Sequence, residues 1–428
     1  MSERPPLEII DPLHYEQHGY PHAAWTHLRA HQPVSWWEPE GMPPFWAITR
    51  HADIERISRE PELFLSSPML AIFPREQFDP ENFPLRAMTK MDPPEHGEYR
   101  GLTSQWFTAR SVERWRPSVE SIVDERLALA AGREDVDFVT EVAAAVSIFV
   151  IAEILGIPRS DWQQLFRWTN QTMGATDPEF QSEAGSVRHG SPPMEAIKGD
   201  EESYWASVKE TEAAALRQQF EYFSRLIESR RRNPAQDVTS LLAHARLAGA
   251  PLPDWELLSY VIVLMIAGND TTRNAMSGGL LALIEHPGAI ARLREEPTLL
   301  PLAIEEMLRW TSPVVQFCRT PAADVEINGT KVRAGQTLCL FYPSGNRDES
   351  VFERPFEFRI DRQPNPHLAF GTGAHFCLGA HLARLELAVL FAKLLERFDA
   401  FELRGPVARL RSSFVGGIKH LPVRLRPR

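Results

Sequence analysis

A cysteine that serves as a metal ligand must be held as a thiolate and kept from water. Cys377 stands in a segment suited to that task, Phe370-Gly-Thr-Gly-Ala-His-Phe-Cys-Leu-Gly379. A helix is expected to begin directly after the sulfur, so its first N–H groups and the positive end of its dipole would face the negative charge. Gly371, Gly373 and Gly379 carry no Cβ, which lets the backbone turn sharply and lie close to a flat ring system. Phe370 would shield the sulfur. The run could also be a plain glycine-rich turn before a helix, or a phosphate loop. The Lys-Ser/Thr pair that a phosphate loop needs does not follow it.

A second constellation is Ala267-Gly268-Asn269-Asp270-Thr271-Thr272, inside the apolar stretch Leu257 to Glu285. A lone Asp on a helix usually faces solvent, but Val263, Leu264, Met265 and Ile266 just before it favour burial. A buried Asp is costly without partners. Gly268 weakens the helix, and a Thr hydroxyl competes for the carbonyl one turn back. A local kink that holds water is therefore expected. Glu306-Met-Leu-Arg309 sets opposite charges on one helix face, which alone reads as a weak surface pair. Asp92-Pro-Pro-Glu-His96-Gly-Glu-Tyr-Arg100 opens a helix with His96 and Arg100 on one face. Any one of these cations, taken alone, reads as a solvated group.

The elements that must position these residues are mostly helical. Glu95 to about Ala243 has a helical pattern, with Val142 to Leu155 as a buried helix that ends before Pro158. Leu257 to Glu285 is one long helix stopped at His286-Pro287, and Pro301 to Trp310 is another, broken before Pro313. A last helix is expected from about Leu378 to Phe398. Strands are expected at Pro33 to Trp37, Phe45 to Thr49 and Leu338 to Tyr342, with a hairpin from Val325 to Val332 around Asn328-Gly329. Pro61 to Lys90 and Met173 to Lys198 read as long loops, and such loops are often functional. Pro355 to Pro366 is irregular. The fold class is mainly α with a small β sheet. Length alone suggests two or three domains, but segments far apart in sequence serve one site, so residues 1–428 are read as a single domain.

Composition narrows the function. A formal net charge of -11 and a pI near 5.8 argue against a nucleic-acid partner. The three cysteines, Cys318, Cys339 and Cys377, match no zinc spacing and suggest a reducing compartment. Cys318 and Cys339 read as small buried residues. The N-terminus shows no apolar stretch of signal-peptide length and no membrane anchor is evident, so a cytoplasmic protein is expected.

Phe370 to Gly379 resembles, position by position, the haem-binding signature of the cytochrome P450 family, and the resemblance extends over nearly the whole chain. It implies haem b ligated by Cys377 and seated between the 257–285 helix and the 370–379 loop. Phe370, Gly371 and Gly379, with Ala267 and Gly268 across from them, would contact it, and His96, Arg100, Arg319 and His375 would clamp its propionates. Asp270 and Thr271 would be the acid–alcohol pair that relays protons to dioxygen. Glu306, Arg309 and Arg362 would form a buried structural group. The implied activity inserts one oxygen atom from O2 into a C–H bond of a hydrophobic small molecule, of steroid, fatty-acid or terpenoid type. Electrons would come from a ferredoxin and ferredoxin reductase docking near Arg110, Arg114 and Arg116, with the enzyme a monomer. A peroxide-driven or non-oxidative haem enzyme, or a non-catalytic haem ligand-binding protein, are the alternatives. The pocket is expected to be lined by 61–90, 173–198, Leu264 to Thr271, Pro313 to Phe317 and Ser413 to Gly417. Arg86 or Lys90 could anchor a substrate carboxylate at its mouth.

Overall fold

The computed structural model describes residues 7–74, 85–181 and 201–428. Eight helices carry the architecture: α1 (Glu95–Gly101), α2 (Arg116–Ala130), α3 (Ala144–Ile154), α4 (Trp162–Met173), α5 (Glu201–Arg232), α6 (Asp254–Glu285), α7 (Leu300–Thr311) and α8 (Ala380–Arg397). The long α6 runs through the middle and is packed by α3, α7 and α8. Its sequence explains this: it is apolar on nearly every face, so it is stable only when surrounded. Asp254 and Glu256 in its first turn suit the positive end of the helix dipole, and it stops at His286 before Pro287.

A five-stranded sheet stands at one side. Its strands are β1 (Val34–Trp37), β2 (Phe45–Ile48), β3 (Phe64–Leu65), β4 (Gln316–Pro321) and, after the hairpin β5 (Val325–Ile327) and β6 (Thr330–Val332), β7 (Leu338–Phe341). The order is β1-β2-β7-β4-β3, with β2 and β7 parallel and the other neighbours antiparallel. Cys318 on β4 lies opposite Cys339 on β7, and both are fully buried, as expected of small apolar residues. The hairpin turns at Asn328 and Gly329, both with positive φ, which is the type I′ signature. A smaller sheet joins Val136–Asp137, Phe398–Leu403 and Pro422–Pro427. Among the described residues no helix is long and apolar enough to cross a membrane.

The structure corrects two local expectations. The last helix begins at Ala380, not directly after Cys377, because Leu378 and Gly379 are spent on a turn. The 61–90 stretch is not wholly loop: Phe64–Leu65 pairs with β4 and Met88–Lys90 forms a helical turn. Residues 75–84 of that stretch, and 182–198 of the 173–198 loop, lie outside the described residues.

The irregular stretch before the Cys377 loop is held by one buried ionic group. Arg309 Nη2 and Nε donate to the two Glu306 oxygens at 2.7 Å each. Arg362 Nε donates to the same carboxylate at 3.0 Å, and the Arg359 amide adds a bond of 2.8 Å. Spare guanidinium protons bond backbone carbonyls: Arg309 takes Asn346 and Pro355, and Arg362 takes Glu353, Arg354 and Glu357. A segment without regular structure thereby has its backbone groups satisfied by side chains. The weak surface pair that Glu306 and Arg309 alone would suggest is thus replaced by a fully buried one, both residues being 0% exposed. Removing one partner of such a group leaves uncompensated charge in the interior. Glu306→Ala should therefore lose about 3–5 kcal/mol in urea unfolding and bind haem poorly, whereas a surface pair such as Arg56–Glu60 should matter by well under about 1 kcal/mol.

Candidate active site

Between α6 and the Cys377 loop lies a cavity, part of it open to solvent. Cys377, Phe370, Gly371 and Gly379 form one wall, and Ala267, Gly268 and Thr271 form another. His96, Arg100, Arg319 and His375 also line it. The structure thus brings every sequence-expected cofactor contact into one space, from α1, α6, β4 and the Cys377 loop.

The loop is shaped by local sterics. Gly373 sits at φ +72°, and a Cβ there would lie 2.2 Å from the Ser58 carbonyl oxygen, so only glycine fits. The Cys377 amide donates to the Phe370 carbonyl at 2.9 Å, closing the turn. Burial pushes the Cys377 thiol up, while the Gly379 amide, bonded to the sulfur, and the guanidinium groups of Arg100 and Arg384 pull it down. Phe370 lines the cavity with the Arg384 guanidinium 4.6 Å from its ring centroid. Arg384 is itself fixed by two 2.7 Å bonds to Glu305. Burial works to raise Glu305, yet Arg384 and His367 hold it down at about 2.

The cation group is electrostatically strained. The His96 and His375 rings lie 3.9 Å apart between centroids, and His375 Nε2 shares a 2.9 Å hydrogen bond with Ser66 Oγ. Burial, Arg319, His96 and Arg100 together hold His375 down to about 2. Burial and Arg100 likewise lower His96, against a raising influence from Asp92. Such a positive field calls for an anion inside the cavity.

Asp270 and Thr271 are consecutive on α6 but face different ways. Thr271 lines the cavity, and its hydroxyl donates to the Ala267 carbonyl at 2.8 Å. Asp270 is buried on the other side, 3.0 Å from Arg273, with Asn269 Nδ2 donating to it at 3.1 Å. Burial raises its carboxyl and Arg273 lowers it, with burial winning; one oxygen, Oδ2, has no partner. Gly268 serves close approach, because a Cβ there would lie 2.9 Å from Ile151 of α3.

Other expectations fare differently. Met88, Thr89, Leu264, Val314 and Phe317 line the cavity as expected, but neither Ser413 to Gly417 nor the described part of 173–198 does. Phe414 instead stands behind Phe317, with ring centroids 5.7 Å apart. Arg86, one of the two expected carboxylate anchors, is engaged by Glu95 and Glu256. Among the lining residues that escaped the sequence reading are Ile151 and Glu386. Ile151 gave no signal within a mostly apolar helix. Glu386 did: a carboxylate among Leu382, Leu385 and Val389 breaks an apolar face.

The donor set fits haem b. One sulfur lines the cavity, four cationic or imidazole groups answer two carboxylates, and a Cβ at Gly379 would meet only open space within 4 Å. The comparisons agree. A cytochrome P450 family model matches residues 202–417. A methyl-branched lipid omega-hydroxylase of Mycobacterium tuberculosis is 36% identical over 94% of this chain and 90% of its own length. A steroid C26-monooxygenase of the same species is 33% identical over 98% of this chain and 92% of its own. The crystal structure of CYP108D1 from Novosphingobium aromaticivorans superposes with a TM-score of 0.85, at 32% identity, covering 99% of this chain and 100% of that one. The chain belongs to the cytochrome P450 family. It is a monooxygenase with haem b as cofactor.

Thiolate ligation is open to a direct check. Reduced, carbon monoxide-bound protein should show the red-shifted Soret band of a thiolate-bound haem. Cys377→Ala should lose it, and Cys318→Ala and Cys339→Ala should keep it, because the last two thiols are buried in the sheet.

Proposed function

We propose that this enzyme inserts one oxygen atom from O2 into a C–H bond of an apolar, lipid-like molecule of steroid, fatty-acid or terpenoid type, taking electrons from a ferredoxin and its reductase. The observation that carries the reading is the division of the cavity wall. Charge is concentrated in the His96, Arg100, Arg319 and His375 group, while Ile151, Val263, Leu264, Val314 and Phe317 give an apolar surface elsewhere. Such a surface holds a substrate by burial, at roughly 25 cal/mol per Å2 of apolar area, and not by ion pairing. The names of the two relatives point the same way: omega and C26 are both positions at the end of a lipid chain.

Haem held by Cys377 supplies the oxygen activation. The chain's own residues do the rest. His96, Arg100, Arg319 and His375 bind the propionates. The Thr271 hydroxyl, donating to Ala267, keeps its lone pairs free to hold a water in the cavity. Asp270, its carboxyl raised by burial and lowered by Arg273, lies on the opposite face of α6 and reaches the cavity by leaving Arg273. Electrons enter from the Cys377 side. There the exposed Arg110 lies on the short helix Ala109–Val112, which packs on α8. It is a better contact for an acidic partner than Arg114, which stacks on Trp106, or Arg116, which is paired with Glu113. The protein is taken to act in the cytoplasm as a monomer.

A ligand panel tests the substrate class. Steroids, long-chain lipids and terpenoids should shift the haem from low to high spin and be oxidised; small polar aromatic acids should do neither, and turnover of those acids alone would defeat the apolar reading.

Proton handling is tested by substitution. Thr271→Ala should bind haem and consume electrons at near the wild-type rate, but product per electron pair should fall by about tenfold or more, with peroxide released instead. Asp270→Asn should slow turnover without changing the resting spectrum. Wild-type coupling in both variants would remove these residues from the relay.

Docking is tested by salt. Reduction by an acidic ferredoxin should slow between low and high ionic strength, and Arg110→Glu should slow it at low salt. Rates indifferent to both changes would exclude electrostatic docking at this face.

A further inference from the structure

A second cleft lies against α6 and shares no lining residue with the haem cavity. Trp162, Phe166 and Asn170 stand one turn apart on α4 and form one wall of it. Phe180, from the helical turn Pro178–Phe180, brings a third aromatic ring, and Trp162, Phe166 and Phe180 are all half-buried. Arg273 of α6 lines the same cleft. Its side chain is 7% exposed, and its guanidinium lies 5.5 Å from the Phe166 ring centroid. A smaller pocket shares Asn170, Phe180 and Arg273 with this cleft and reaches Asp270.

The charged lining is mostly cationic, although the chain as a whole carries a net charge of -11. Arg167, Arg273, Lys419 and His420 line the cleft with a single carboxylate, Glu179. Lys419 and His420, on the strand Ile418–His420, are matched by acids. Lys419 binds Asp177 and Glu179, and His420 binds Asp137 and Glu179. The two arginines are less well served. Arg167 is exposed and meets no carboxylate among the described residues. Arg273 holds Asp270 Oδ1 at 3.0 Å and Asn170 Oδ1 at 2.7 Å, which leaves its Nε–H without a partner among the described residues. A buried donor left unpaired is costly, and a ligand that brings an acceptor to that guanidinium removes the cost.

We propose that this cleft binds an aromatic carboxylate as an effector, separate from the substrate. The ring lies among Trp162, Phe166 and Phe180, and the carboxylate meets Arg273 with Arg167 at its side. Aromatic contact and a charge-assisted bond thus recognise the two ends of one small molecule. A carboxylate at Arg273 competes with Asp270 for the guanidinium, so occupancy loosens the pair that holds Asp270 away from the haem cavity. The effect on turnover rests on the proton relay proposed above, whereas the binding does not.

The test uses the haem-loaded full chain with phenylimidazole on the iron, so that the haem cavity is already filled. Naphthoate, titrated by calorimetry, should bind at a single equivalent and leave the haem spectrum unchanged. Naphthamide and inorganic phosphate each lack one half of the recognition, and should bind at least about tenfold more weakly. Arg167→Glu, which reverses the charge at the rim, and Trp162→Ala should each weaken naphthoate by about tenfold. Both variants should keep the thiolate-type carbon monoxide spectrum and the unstimulated rate of lipid oxidation. Without phenylimidazole, saturating naphthoate should raise that rate severalfold in the wild type and leave Asp270→Asn unchanged. A wild type that binds no naphthoate, or binds naphthoate and naphthamide alike, overturns the site. Binding that survives intact in both variants does the same. Binding without stimulation overturns the coupling to Asp270. An enzyme that binds naphthoate as described but oxidises no lipid with any electron donor overturns the substrate reading and leaves the site standing.

Discussion

The Glu306 carboxylate carries two buried guanidinium groups, and the position of the Cys377 loop depends on that arrangement. One negative charge does not neutralise two positive ones, so burial succeeds only because the remaining N–H groups are spent on carbonyls. Those carbonyls belong to residues 346–357, a stretch with almost no helix or strand of its own. Its backbone would otherwise lack partners in the interior. Arg347 adds to the same logic: it is buried, donates to the carbonyls of Arg309 and Trp310 at the end of α7, and lies over the Trp310 ring. The ion group thus acts as a substitute for secondary structure, holding an irregular chain on α7 just upstream of the haem ligand.

From that base the cavity separates its tasks by dielectric and charge. Burial, with the Arg319, His96 and Arg100 charges beside it, keeps the His375 imidazole neutral, and the cationic group is answered when two carboxylates enter. Elsewhere the wall is apolar, and the carboxyls near it, Asp270 and Glu386, are both raised by burial. They differ in company. Asp270 has Arg273 and Asn269, so its charge can be shared when it ionises. Glu386 has neither, so its neutral form is favoured more strongly.

Close approach of helices completes the design. Gly268 brings α6 against Ile151 of α3, and Ile151 in turn closes the cavity. A glycine that weakens a helix in isolation here costs little, because packing on all sides supports the helix.

Much of this was legible in the chain alone. The ligand cysteine, its glycines and the two prolines before His96 follow from rules that act within about ten residues: φ limits, helix dipoles and the absence of a proline N–H. The lengths of α6 and α7 and the Asn328-Gly329 hairpin were readable for the same reason. What the chain could not specify by itself was facing and company. Whether Asp270 and Thr271 look the same way depends on helix rotation, which is set by the neighbours of α6. That Arg86 is engaged, that Phe414 backs Phe317 instead of lining the cavity, and that Glu386 stands alone were decided by elements far away in sequence. A side chain's partners, and hence its charge state, are properties of the packed interior, where the loss of water makes each distant neighbour count.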